Sequence, residues 1–574
     1  MPLAHAGIVS SKGEGASDVG NPQRTRIEKG SSMEQNISRR NFLTGAAAAV
    51  AGAAVTSMVG CAPSGKASAE ADASAAEGAR WSWETKPAPI SDADIVETVD
   101  TEICVVGFGS SGTTCAMAAA QSGAKVVVLQ KLDQVITNGW CVAAYNSQMF
   151  LDAGQTYDLA QIYNDFANLS NGRDNPKVVQ TFLRRSGEVV DYIIRQTPEF
   201  TPVMQGSGHT YGWYVNNDMS TRYDQFKKLL NAVADKAVAA GADVRYNTPA
   251  VQLVQDDDGR VTGVIGEGKE GYVKVNASKG VILCTGDTSD DKEMLEAYCP
   301  LMLGVQSMHG SPCNTGDGQK MGMWAGASID PAPHTMMMHF DPTWMPEGNA
   351  PFSGIPWLRV NLNGERFGNE NLGYQSHVTQ VRYQPEMTAF QIIDKNWDKH
   401  APQGDYKHPN SHSRGTADPV NDWKSALERG AIVEADSIEE LAEKCAIDKE
   451  NLVATVARYN ELVDAGYDED FGVDGTFMTY NGIKEAPFYA IKRMPAVLST
   501  CGGLAINEKL EVLDESNKPL GGLYAAGNAS GSYYGDDYPL FITGGSHGRA
   551  WTFGVLSARS ALGMLDEPVD TLGA

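Results

Sequence analysis

Residues 103–106, Ile-Cys-Val-Val, form an apolar run too short for a helix, which predicts a buried strand. Gly107, Gly109 and Gly112 follow, and then an alanine-rich stretch of helical length. Residues 125–130, Lys-Val-Val-Val-Leu-Gln, predict a second strand. Strand, G-x-G-x-x-G turn, helix and strand in this order predict a βαβ unit of the dinucleotide-binding kind. Residues 241–266 then read as strand, strand, turn and strand, with the turn at 256–259. Residues 272–287 predict another strand pair that closes on Thr285-Gly286, and 517–561 predict strand, glycine-rich loop and helix. No second G-x-G-x-x-G unit occurs, which argues against a built-in nicotinamide-nucleotide domain. The stretch 336–499 interrupts this pattern and reads as an insertion. Within it, 435–466 carries two amphipathic helices around a turn at 446–448.

The glycine spacing has a chemical reading. Gly107 permits a tight turn, Gly109 lets backbone N–H groups approach a pyrophosphate, and Gly112 lets the helix pack close to the strand. Ser110 and Ser111 open the helix, whose N-terminus favours negative charge. The second strand ends in Gln130 where an acidic residue is usual; its amide oxygen can accept the same ribose hydrogen bond without charge.

The 574 residues suffice for two or three domains. Apolar content of 42% and charged content of 20% fit a soluble globular chain. A formal charge of −25 excludes a nucleic-acid partner, because phosphate binding needs a basic surface. Two readings of the acidity remain: solubility, or a face that attracts a basic electron-carrier protein. The nine cysteines form no C-x-x-C pair, no haem-attachment motif and no zinc spacing. Any haem or iron–sulfur centre would use dispersed ligands or belong to a partner.

The amino terminus reads as an address. Ser38-Arg39-Arg40-Asn41-Phe42-Leu43 precedes an Ala/Gly-rich apolar run, the pattern of a twin-arginine export signal. That run is too short and too weakly apolar to predict a membrane span. Met33 just before it makes 1–32 a leader upstream of the signal at 33–61. "SMVGC" places Cys61 at a candidate lipid-attachment position, which would anchor a periplasmic or cell-surface protein to the membrane. Residues 62–96 are expected to be a flexible linker.

The motifs "VVGFGSSG", "VILCTGD", "NTGDGQKMGMWAGA", "VNLNGERFGNE", "CGGLAIN" and "GLYAAGNASG" occur in this order. Together they resemble the fumarate reductase and 3-ketosteroid dehydrogenase superfamily of FAD flavoproteins, from about Thr101 to Leu562. The resemblance implies an α/β fold: a Rossmann-like FAD-binding domain (97–335 and 500–574) with an inserted α+β capping domain (336–499). It implies hydride transfer between FAD and a carbon–carbon double bond, acting on CH–CH groups. Carried over by motif, Gly107, Gly109, Ser110, Ser111 and Gly112 contact the FAD pyrophosphate, with Gln130 and Lys131 near the ribose. Asn138 matches a Gly-Gly-Asn turn in its asparagine alone. Val251 is expected near the adenine, and Thr285 and Gly286 near the pyrophosphate. Gly316, Asp317 and Gly318 belong to the next flanking loop, while Gly527, Asn528, Gly544, Gly545 and Ser546 are expected near the ribityl chain and ring.

The substrate-binding charges of the fumarate branch are missing. Its histidine, proline and threonine fall on Asp341, Pro342 and Thr343; its proton-donating arginine falls on Tyr374; its second histidine on Ser499; its second arginine on Tyr538. The Glu and Arg of its proton relay fall at Ala350 and Ser353. Buried carboxylates need charge-assisted partners, so a dicarboxylate would be held poorly. Tyr374 and Tyr538 instead resemble the steroid branch, where one tyrosine exchanges the substrate proton and another binds the ketone. The expectation is therefore an exported enzyme that reduces, or reversibly desaturates, a neutral enone, steroid-like or phenolic. Electrons would come from a separate cytochrome or flavoprotein. The alternatives are a reductase of an unsaturated monocarboxylate in anaerobic respiration, clamped by Arg549, and a non-catalytic flavin electron-transfer protein. Arg549 and His547 bind FAD or an acid, or cap a helix. Arg366 reads as a structural residue joining the capping and cofactor domains, and Met336, Met337 and Met338 as pocket lining or ordinary core.

Overall fold

The computed structural model describes residues 79–207, 210–214, 222–308, 313–339, 350, 352–372, 374–400, 419–474, 482–569 and 572. The leader, Arg39, Arg40, Cys61 and the Asp341-Pro342-Thr343 segment lie outside the described residues.

The apolar run at 103–106 becomes the buried end of a longer strand, Ile95–Val106. It pairs in parallel with Val126–Leu129 on one side and with Gly271–Leu283 on the other. Asp243–Arg245 extends the parallel set beyond Val126–Leu129, and Pro519–Ala525 extends it beyond Gly271–Leu283. The antiparallel strand Glu511–Leu513 closes that edge. A hairpin, Ala250–Gln255 with Val261–Gly268, joins antiparallel to Gly271–Leu283. The central strands are buried on both faces, which explains why they read as unbroken apolar runs rather than as alternation. Each such Val, Ile or Leu side chain contributes roughly 1.5–3 kcal/mol on burial.

The helix Ser110–Gln121 crosses back over the sheet and packs on the C-terminal helix Gly545–Ala561. They meet at Gly554, where an added Cβ would stand 2.4 Å from the Ser111 carbonyl oxygen. Both helices begin beside the C-terminal ends of parallel strands, the place where open α/β sheets bind ligands.

The region 336–499 has apolar cores of its own. A four-stranded antiparallel sheet is ordered Arg359–Val360, Ala389–Ile393, Phe488–Arg493, Ile432–Ala435. Helices Ile438–Cys445 and Lys449–Ala465 cover it, burying Leu441, Leu452, Val456, Tyr459 and Leu462. Ser437 and Asp448 cap the two helices through the amides of Glu440 and Asn451, which is why the turn between them was legible. The expected limits of the insertion fall in two paired antiparallel strands, Met336–His339 and Ala496–Thr500, with Met337 opposite Ser499.

Two expectations need correction. The expected linker 62–96 ends too late, because Trp81 and Trp83 already anchor the chain to the folded part, although most residues from 84 to 94 are exposed. Trp81 stacks on Trp83, Trp83 is buried against Tyr298, and the Trp324 indole donates to the Trp83 carbonyl. These partners lie more than two hundred residues away in sequence, so no local pattern announces them. Arg366, expected to join two domains, donates to Glu370 and Asp468 instead, both inside 336–499.

Candidate active site

The strand ends, the two helix N-termini and the strand pair at 336–339 and 496–500 enclose a cleft of about 1930 Å3, its solvent mouth included. Of the residues expected at the cofactor, Gly107, Gly109, Ser110, Ser111, Gln130, Lys131, Asn138, Thr285, Gly286, Gly527, Asn528, Gly544 and Ser546 line it, as does Tyr538. Gly112, Val251 and Gly545 do not reach the lining; Ala250 stands where Val251 was expected. The hairpin register is irregular between Ala250 and Gln252, and there Ala250 rather than Val251 takes the lining position. Tyr374 begins the helix Tyr374–Arg382, and its side chain lies outside the described residues.

The glycines act through close approach. Gly107 has φ +95°, and a Cβ there would stand 2.4 Å from the Cys284 carbonyl oxygen. A Cβ on Gly112 would stand 2.0 Å from the Gly107 carbonyl oxygen. Gly112 thus shapes the loop from behind while Gly107 and Gly109 form its face. The N-caps of the two helices are Gly109 and Gly544, and neither supplies a side-chain cap. Two uncapped helix N-termini therefore face one cleft, a setting suited to the phosphates and to an electron-rich ring. The Thr285 hydroxyl is buried without a protein partner at the same wall.

Gln130 is held by the loop it faces. Its Oε1 accepts from the Phe108 amide at 3.0 Å and its Nε2 donates to the Gln134 carbonyl at 2.8 Å. One lone pair of Oε1 remains for a ribose hydroxyl. Lys131 donates to Thr315 at 2.8 Å and to Asp317 at 3.0 Å, so its charge is matched by a carboxylate. Gln319 donates to the carbonyls of Gly286 and Asn528, joining two cleft loops. A polar, glycine-shaped cradle with uncapped helix ends and a free hydroxyl fits FAD.

His547, expected to bind FAD or an acid or to cap a helix, lines the cleft and is held between its two loops. Its Nε2 donates to the Asn138 carbonyl, so Nδ1 accepts from the Ser110 hydroxyl at 2.9 Å. Burial lowers its pKa to about 4, leaving it neutral near pH 7. It binds the start of one helix to the start of the other, and no local spacing encodes that contact. Met337, Leu498 and Ser499 add a wall, and Met338 belongs to the core. Among the described residues no arginine lines the cleft: the basic side chains there are Lys131 and His547, beside Asp287 and Asp317.

Tyr538 is 4% exposed, and its phenol oxygen accepts the Ser546 amide N–H at 3.2 Å. That amide belongs to the first turn of the C-terminal helix. Burial pushes the phenol pKa well up, so it stays protonated. Because the amide can only donate, the Tyr538 hydroxyl keeps its own proton to give.

Fold and cleft define a two-part α/β protein that binds a dinucleotide where parallel strands end. The family model described as an FAD binding domain matches residues 102–540, and the chain belongs to that family. It is 26% identical over 483 residues to the vinyl phenol reductase of Lactiplantibacillus plantarum, covering 80% of this chain and 96% of that one. It is 27% identical over 480 residues to the fumarate reductase (cytochrome) of Shewanella frigidimarina, covering 81% and 77%. A solved 3-ketosteroid-Δ4-(5α)-dehydrogenase from Rhodococcus jostii shares the fold with a TM-score of 0.63 at 21% identity, covering 82% of this chain and 99% of that one. The protein is an FAD-dependent oxidoreductase acting on CH–CH groups.

Proposed function

We propose that the enzyme reduces the double bond of a neutral conjugated substrate, an enone or a phenolic bearing an unsaturated side chain. Dehydrogenation would use the same site in reverse. The observation that carries this reading is the cleft wall: a protonated phenol at Tyr538, Ser499 in place of a histidine, and no arginine among the described lining residues. A dicarboxylate would bring two charges into that wall without matching cations, at a cost of several kcal/mol. The relationship to a vinyl phenol reductase supports the phenolic branch of the same class. Arg549, the clamp a monocarboxylate reductase would need, sits behind Asn528 rather than on the lining.

Bound FAD supplies the hydride. Gly107, Gly109, Ser110 and Thr285 would hold its phosphates, and Asn528, Gly544 and Ser546 its ring end. Tyr538 would donate its phenol proton as a hydrogen bond to the substrate oxygen, which stabilises the charge developing there. Tyr374 would deliver the proton to the carbon next to the activating group. Electrons would arrive from a separate carrier protein. The twin-arginine segment and Cys61 support an exported, membrane-tethered location.

Anaerobic reoxidation of the reduced enzyme tests the reading, with cyclic enones, 4-vinylphenols, acrylate and fumarate as oxidants. Rapid reoxidation by an enone or vinylphenol is expected. Rapid reoxidation by fumarate, with none by the neutral panel, would overturn the reading.

A further inference from the structure

Arg549 stands in the first turns of the C-terminal helix with 0% exposure. A cation there is opposed by the positive end of the helix dipole and has been removed from water. Its hydrogen-bond partners are neutral: Nη1 donates to the Ser530 carbonyl at 3.2 Å and Nη2 to Asn528 Oδ1 at 2.6 Å. Its Nε has no partner. The guanidinium carbon lies 4.7 Å from the Tyr534 ring centre and 5.3 Å from that of Tyr533. Among the described residues no carboxylate forms an ion pair with it. Asp330, the acid whose ionisation Arg549 favours, is buried and turned toward the amides of Gly503 and Ser532.

Arg549 can only donate, so its bond to Asn528 fixes that amide with Oδ1 toward the guanidinium. The Nδ2 of Asn528, a cleft-lining residue, has no acceptor among the described residues. A buried cation whose described hydrogen-bond partners are all neutral, with Asp330 acting on it only through space, and an amide donor oriented by it meet at the wall expected to face the ring end of FAD.

We infer that Arg549 is the fixed counter-charge for the reduced cofactor, favouring the form that takes up two electrons with one proton and so carries one negative charge. It acts through Asn528 and through space, and is a positioning and tuning residue rather than a catalytic one. With two electrons and two protons the cofactor would be neutral and the guanidinium would remain uncompensated. In turnover the electrons come from the external carrier; in the test they come from dithionite. The inference depends on the FAD site and not on the identity of the substrate.

The test is the midpoint potential of the FAD-loaded enzyme, read by absorbance against a reference dye between pH 7 and 8.5. Asp330, near 6, is mostly ionised at pH 7 and fully so in the upper part of the window, and His547, near 4, is neutral throughout it. Cys501, pushed up to about 12, and the phenols of Tyr533, Tyr534 and Tyr538, all raised by burial, titrate above it. One proton per two electrons gives a slope of about 30 mV per pH unit, and two protons give about 59 mV. Arg549→Met is expected to shift the ratio of reduced to oxidised flavin at fixed dye potential at least tenfold toward oxidised, about 30 mV, and to weaken sulfite binding at least tenfold. Arg549→Lys is expected to stay within threefold of the wild type. A wild-type slope near 59 mV, or an FAD-loaded Arg549→Met enzyme with unchanged potential, overturns the inference. If Arg549→Met does not hold FAD, the wild-type slope decides.

Discussion

Arg366 and Arg549 are both buried, yet they keep opposite company. Arg366, in the inserted region, donates to Glu370 at 2.7 Å and to Asp468 at 2.8 Å, and lies over the rings of Tyr459 and Phe471. Arg549, beside the cleft, also lies over two aromatic rings but has carbonyl and amide oxygens where Arg366 has carboxylates. A matched ion cluster sends little field beyond itself and is useful as a rivet. An unmatched charge projects its field into the nearest cavity. The same side chain thus serves geometry in one region and electrostatics in the other.

That contrast can be broken most directly in the insertion. Arg366→Ala leaves two buried carboxylates facing each other, and a loss of about 3–5 kcal/mol in unfolding free energy is expected from denaturant titration. Arg549→Met removes a charge that hydrogen-bonds only neutral oxygens, so no ion-paired carboxylate is stranded, and its stability should fall by less. Equal losses would erase the distinction. Gly112→Ala is the next largest effect: its methyl would meet the Gly107 carbonyl, so purified protein should lose most of its yellow FAD absorbance while keeping its helical circular dichroism. Tyr538→Phe keeps the ring and removes the donor. It should lower the rate of substrate reduction about 100-fold, some 2.7 kcal/mol, with little change in flavin potential. Stopped-flow reoxidation separates the two readouts.

The smallest effect distinguishes the regions by pH. Burial lowers His547 to about 4, so its contribution is complete above pH 6.5 and is lost as pH falls toward 4, about 1–3 kcal/mol. Asp330 acts with the opposite sign. Burial raises it to about 6, so its contribution is complete below pH 3.8 and is lost as pH rises through 6. The two oppose each other between pH 4 and 6, and Asp330→Asn should steepen the acid loss in thermal melts. Asp468 is raised by burial but lowered more by Arg366 and nearby amides, to about 2. Its contribution is therefore lost only below pH 3.8. Acid weakening of the Asp330→Asn protein should begin at the cleft before it reaches the insertion.

Much of the cofactor half was legible because its determinants are local. Four apolar residues, three glycines and an alanine run specify strand, turn and helix within thirty residues. The helices at 438–465 were legible through their caps. The first strand was read as 103–106 because its earlier part, with exposed Val96, Glu97 and Thr98, is stabilised by backbone pairing with the strand at 271–283 rather than by apolar side chains. Trp81, Trp83 and His547 acquire meaning only from distant partners. Arg549 was visible as a cation near the ring, but whether it faces a ligand or the interior depends on the position of Asn528. Ala250 rather than its neighbour Val251 lines the cleft because the hairpin register is irregular there, which no local pattern announces.

The amide of Ser546 gives its hydrogen to Tyr538 and can accept none in return. The tyrosine is thereby left with a single hydrogen to offer and a phenol oxygen already engaged. Whatever molecule meets it must bring a lone pair to that point. A carbonyl or a phenolic oxygen can do so, whereas an ammonium group would have to compete with the Ser546 amide for the phenol oxygen and leave the hydroxyl hydrogen unused. On the proposed reading, one peptide N–H at the start of a helix would thus set the polarity that an incoming compound must match before any bond in it is changed.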